Sequence, residues 1–121
     1  MGPLCTPIVG FVRHWTFDEA TAALPEVREK VRRLRQLVSA RPTANGSGAR
    51  LDTEIAALVT ELNEDGIIVR DPERGLIDFP ALAPSGETYL LCWLDGEDAI
   101  DWWHWPDAGF AGRTPIDQPP T

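Results

Sequence analysis

The chain has 121 residues, of which 43% are hydrophobic and 25% charged, and eleven Lys plus Arg against nineteen Asp plus Glu give a formal charge of -8. That length makes one domain, residues 1–121, with one modest core, and the hydrophobic fraction excludes a disordered chain. The acidic balance argues against a nucleic-acid or anionic-membrane partner, and no run approaches the roughly 18 apolar residues of a membrane span or the pattern of a signal peptide.

Residues 1–15, with Pro3, Pro7 and Gly10, read as irregular, with room for a short extended piece at Ile8–His14. Thr16-Phe17-Asp18-Glu19 is a capping box, with Trp15 in the place of a hydrophobic staple. From there Ala20, Leu24, Val27, Val31, Leu34 and Val38 recur in steps of four and three, which keeps one apolar stripe on one helix face. Pro25 inside this stretch predicts a kink or a later helix start. Arg28, Lys30, Arg32, Arg33 and Arg35 spread around the helix and read as its solvated surface. The helix should end near Ala40, before Pro42 and the loop Asn45-Gly46-Ser47-Gly48.

A second helix is predicted over Leu51–Asp65, with the stripe Leu51, Ile55, Leu58, Val59 and Leu62 and a terminating Gly66. Residues 16–66 thus form an antiparallel helix hairpin, and its two stripes need a third layer or a partner chain. Residues 67–105 read as sheet. Ile67–Arg70 and Leu76–Phe79 are short strands about the turn Asp71-Pro72-Glu73-Arg74-Gly75, while Pro80, Pro84 and Gly86 make 80–87 irregular. Tyr89–Leu94 is apolar on both alternations, as in a central strand. Asp95-Gly96-Glu97-Asp98 then turns the chain, and Ala99–Trp105 returns with Leu94 opposite Ala99 and His104 opposite Tyr89. A helix over 97–105, capped by Asp95, is the competing reading. Residues 106–121, rich in Pro and Gly, form an irregular C-terminal arm. The fold class is α+β: a two-helix hairpin on a small antiparallel sheet.

Phe17-Asp18-Glu19-Ala20, Asp71-Pro72 with Gly75-Leu76-Ile77-Asp78-Phe79-Pro80-Ala81, Leu91-Cys92-Trp93 with Gly96-Glu97, and Trp103-His104 with Gly109-Phe110-Ala111-Gly112-Arg113 together resemble a bacterial family, domain of unknown function 2203, over about residues 16–116. The resemblance implies a small soluble protein and names no reaction. Where the family pattern has one Trp before the histidine, this chain has Trp102 and Trp103, followed by Trp105.

The candidate chemistry is sparse. Asp78, Glu97 and His104 are ligand-type residues in or beside the sheet, but the hairpin separates Glu97 and His104 by roughly 20 Å at strand spacing. In the helical alternative Glu97, Asp101 and His104 line one face, a set acceptable to zinc or iron, with Glu54, Glu61 or Asp65 to complete it. His14 reads as a surface histidine. Asp71 reads as a turn acceptor, and Asp78 points away from Ile77 and Phe79. Arg70, Arg74 or Arg113 would pair with such an aspartate, leaving Asp71, Asp78 and Arg113 as a polar site. Cys92 would need His104 nearby to act as a nucleophile. Cys5 and Cys92 fit no ligand spacing and read as reduced thiols in a cytoplasmic protein. Trp93, Trp102, Trp103 and Trp105 exceed what one small core needs, and a homodimer or protein-partner surface accounts for the excess. The leading expectation is a self-associating or protein-binding domain; the alternative is a protein or enzyme using one divalent metal at Glu97 and His104.

Overall fold

Local signals build the helices as expected. The Thr16 hydroxyl accepts from Glu19 N and the Glu19 carboxylate accepts from Thr16 N, each at 3.0 Å, and helix α1 runs Phe17–Ala40. The computed structural model describes residues 13–41 and 48–121. Cys5, the extended piece proposed before Arg13 and the loop at Asn45–Ser47 lie outside the described residues. The helix is unbroken through Pro25. Thr21 and Pro25 are both exposed, so water replaces the N–H that Pro25 lacks and no later start is needed. The buried stripe is Ala20, Leu24, Val27, Val31, Leu34 and Leu37, with Val38 partly buried beside it.

Helix α2 spans Gly48–Glu64. It ends in a Schellman motif: Gly66 has φ +85°, Gly66 N donates to Asn63 O, and Ile67 N donates to Leu62 O, both at 2.9 Å. Ion pairs Arg41–Asp52, Arg33–Glu54 (3.4 Å) and Lys30–Glu61 (2.7 Å) ascend one helix as they descend the other, which makes the hairpin antiparallel. Arg32 and Arg35 both reach Asp95, and Arg28 donates to the Asp98 carbonyl. Arg32, Arg33 and Arg35 of the basic cluster are solvent-exposed, as expected, and the cluster also pairs with α2 and with Asp95 and Asp98.

The sheet is an antiparallel meander in sequence order: β1 Ile68–Asp71, β2 Leu76–Leu82, β3 Thr88–Leu94, β4 Trp102–His104 and β5 Thr114–Pro115. Together with the helices it gives an α+β fold. The inner face, with Ile77, Phe79, Leu91, Trp93 and Trp103, forms one core with the buried stripe of α1 and with Leu62 of α2. Trp15 belongs to this core and is more than a staple. Its ring meets Phe79 edge-on at 5.1 Å and its Nε1–H donates to Gly66 O at 3.1 Å.

Three expectations are corrected. First, β2 does not stop at Phe79 but continues through Pro80. The Pro80 carbonyl accepts from Trp15 N at 2.7 Å, so the Pro80 peptide faces Trp15, beyond the end of β1, and no bond to β3 is lost. Second, residues 97–105 do not form a helix, and the return strand is shorter than Ala99–Trp105. The connection occupies residues 95–101, with Ile100 buried in the core. Leu90 consequently faces His104, displacing the expected Tyr89 pairing by one residue. Third, the C-terminal arm is not wholly irregular: it makes a 3-10 turn at Phe110–Gly112 and then β5, paired with β4. No helix among the described residues is long and apolar enough to cross a membrane.

Candidate functional site

The outer face of the sheet, turned away from α1, carries the polar cluster. Asp78 on β2 stands directly opposite Cys92 on β3, and Cys92 stands opposite Trp102 on β4. His104 lies two residues further along β4, on the same face and diagonal to Cys92. Asp78 and Cys92 are 0% exposed and His104 is 3% exposed. One ligand atom from each lies within 4.8 Å of the others. Ligands around tetrahedral zinc are about 3.3–3.8 Å apart by ordinary bond lengths, so closing this trio on an ion needs movements of about 1 Å.

The register shift between Val69 and Asp71 makes Arg70 the extra residue of a β-bulge. The bulge directs Arg70 onto the buried carboxylate: Nε donates to Asp78 Oδ2 at 2.7 Å. The other carboxylate oxygen, Oδ1, is 3.1 Å from His104 Nε2, and His104 Nδ1 is 2.7 Å from the Trp105 carbonyl. Both ring nitrogens thus face oxygen acceptors. The ring satisfies both as an imidazolium, or it donates Nδ1–H to Trp105 and offers the Nε2 lone pair to a cation shared with Asp78.

Burial pushes the Cys92 thiol up to about 12, and the neighbouring Asp78 charge adds to the effect. The positive charge of the neighbouring Arg113 guanidinium opposes it. Arg113 is held by Glu97, whose Oε1 accepts from Arg113 Nη2 at 2.8 Å and from Leu94 N at 2.9 Å. The guanidinium also sits 5.1 Å from the Trp102 ring and 4.7 Å from that of Phe110. Its Nε–H is buried without an acceptor among the described residues. A cavity of about 150 Å³ opens beside the trio, walled by Arg70, Leu76, Pro106, Gly109 and Phe110.

The residues singled out by sequence fall into separate places. Glu97 is committed to Arg113 and Leu94, and Asp101 is exposed on the connection, so neither joins His104 on one face. Asp71 accepts from Glu73 N and Arg74 N and pairs with Arg74 at 3.0 Å, as a turn residue does. The polar site of Asp71, Asp78 and Arg113 does not assemble as one: Asp78 pairs with Arg70, Arg113 with Glu97. Among the described residues, His14 bonds the half-buried Thr88 hydroxyl, at 2.9 Å. Trp93 and Trp103 are buried, their indole N–H groups donating to Glu97 O and Gln118 O, so neither offers a surface. Trp105 stacks edge-on with Trp103 and Tyr89, and Trp102 lies under Arg113. Sequence reading named Asp78, Cys92 and His104 but did not join them. The available signal was that each sits on its own strand at an outward position.

No curated protein and no solved structure matches the chain. Residues 41–116, from the end of α1 through β5, match the model of a family described as an uncharacterized conserved protein, DUF2203, and the chain belongs to that family.

Proposed function

We propose that the protein binds one divalent transition metal through Asp78 Oδ1, Cys92 Sγ and His104 Nε2. The observation that carries this reading is the convergence of three buried donors of different chemistry on one point of the outer face. Carboxylate, thiolate and imidazole together suit zinc, and iron next. Two neighbours fit the same occupant. The Trp105 carbonyl accepts from His104 Nδ1–H, which orients the ring so that Nε2 faces the proposed ion. Arg113 carries a buried donor without an acceptor beside a sulfur that would become a thiolate. Three protein ligands with a cavity at the fourth position is the arrangement of reactive rather than purely structural zinc, and a metal there would supply an activated water. The reduced Cys92 suits a cytoplasmic setting.

The test is native mass spectrometry with elemental analysis of untagged protein purified without chelators. One metal per chain is expected, lost by at least tenfold in affinity in His104→Ala and in Cys92→Ala. Protein that arrives metal-free and takes up neither Zn2+ nor Co2+ would leave Arg70, Asp78 and His104 as a structural ion network.

A second reading, self-association, draws on α2. Leu51, Ile55, Leu58 and Val59 are only partly buried, so its apolar stripe is not fully covered.

A further inference from the structure

We infer that the fourth position of this site takes a small monocarboxylate, one oxygen directed to the metal and the other to Arg70. The inference rests on the metal reading above and adds the class of ligand.

Charge argues for an anion. A divalent ion would be neutralised by the Asp78 carboxylate and the Cys92 thiolate. Glu97 cancels Arg113 and Asp71 cancels Arg74. The charge of Arg70, matched by Asp78 in the metal-free network and 42% exposed, is then free to meet an anion at the mouth of the cavity. Arg70 is also placed to reach a ligand. Its Nε is used on Asp78, while its terminal nitrogens meet no further acceptor among the described residues, and the side chain borders the cavity.

Size and wall chemistry narrow the anion. A volume of about 150 Å³ suits a small ligand, since an apolar cavity of about that size takes up benzene. Beyond Arg70 and the trio, the cavity is lined by Leu76, Pro106, Gly109 and Phe110. The side chains of Leu76, Pro106 and Phe110 carry no hydrogen-bond donor for the third and fourth oxygens of phosphate or sulfate, whereas a methyl or methylene would meet apolar surface. A planar carboxylate also matches the guanidinium in geometry.

The experiment uses the full chain loaded with Co2+, whose visible absorption reports changes in coordination. Acetate and inorganic phosphate are titrated in parallel. Acetate should shift the spectrum saturably, with phosphate at least tenfold weaker. Arg70→Gln should weaken acetate at least tenfold, titrated at a cobalt concentration that keeps the variant loaded, since Arg70 also holds the ligand Asp78. Phe110→Trp, which fills the cavity and leaves Arg70 and the three ligands in place, should do the same. If cobalt does not bind the native chain, the metal reading fails and this inference with it. If cobalt binds but acetate leaves the spectrum unchanged, or acts no better than phosphate, or is indifferent to both substitutions, the carboxylate inference alone is overturned.

Discussion

Cys92 lies between opposing neighbours: burial and Asp78 hold its proton on, while Arg113 favours its release. In metal-free protein the first pair wins, and the thiol is pushed up to about 12. An unfolded cysteine titrates near about 8.5. The folded chain therefore keeps a proton that the unfolded chain gives up as the medium turns alkaline. This contribution to stability is complete below about pH 8.5 and is lost as pH rises towards the folded value, by roughly 1.4 kcal/mol per unit. Urea denaturation of chelator-treated protein should show stability falling between pH 8 and pH 10. Tyr89, also raised by burial, acts in the same direction, so the comparison is with Cys92→Ala, in which the fall should be shallower by about 1–2 kcal/mol. Equal slopes would show that the thiol is not what titrates. The residue types of this site were legible in the sequence, because an Asp, a Cys and a His are visible wherever they stand. Their meeting was not, because it depends on which residue of β4 faces which residue of β3.

That pairing is a property of elements. The helices were legible because their signals are local: a capping box, a stripe with helical period, a glycine at the end. Strand positions were nearly as legible, but the register across β3 and β4 is set by the connection at residues 95–101. Buried Ile100 and the Arg28 bond to Asp98 O hold that connection. A four-residue turn was the simpler reading, and a displacement of one residue moves every side chain of a strand to the other face. The β1–β2 turn shows how tightly another such connection is held. Gly75 has φ +77°, and a Cβ there would come within 2.7 Å of Asp95 Cβ and 2.9 Å of Arg35 Cδ. Gly75→Ala should therefore lower stability by about 2 kcal/mol or more, through both backbone strain and collision. Thermal unfolding measures it, and a loss below about 0.5 kcal/mol would mean that the turn relaxes without cost.

For the molecule as a whole, the two helices contribute unequally. The stripe of α1 is buried against the sheet, while α2 buries Leu62 fully and leaves Ile55 and its neighbours half-covered. If self-association covers this stripe, Ile55→Asp should convert the assembled species to monomer in sedimentation velocity while preserving the circular dichroism of the fold. A native chain that is monomeric at high micromolar concentration would remove that reading.

The strand order has a consequence for how the chain reaches this structure. Every ladder joins strands that follow one another in sequence, so the sheet can zip from hairpins with short loops to close. Among the described residues, the most distant closures involve α1 and the residues just before it: Trp15 with Gly66, Arg28 with Asp98, Arg35 with Asp95. Most of the loop-closure entropy is thus concentrated in one docking event, the arrival of α1 on a nascent meander. The outer face, where Asp78, Cys92 and His104 meet, is completed in that same event, because Ile100 and Arg28 then lock the connection that sets its register.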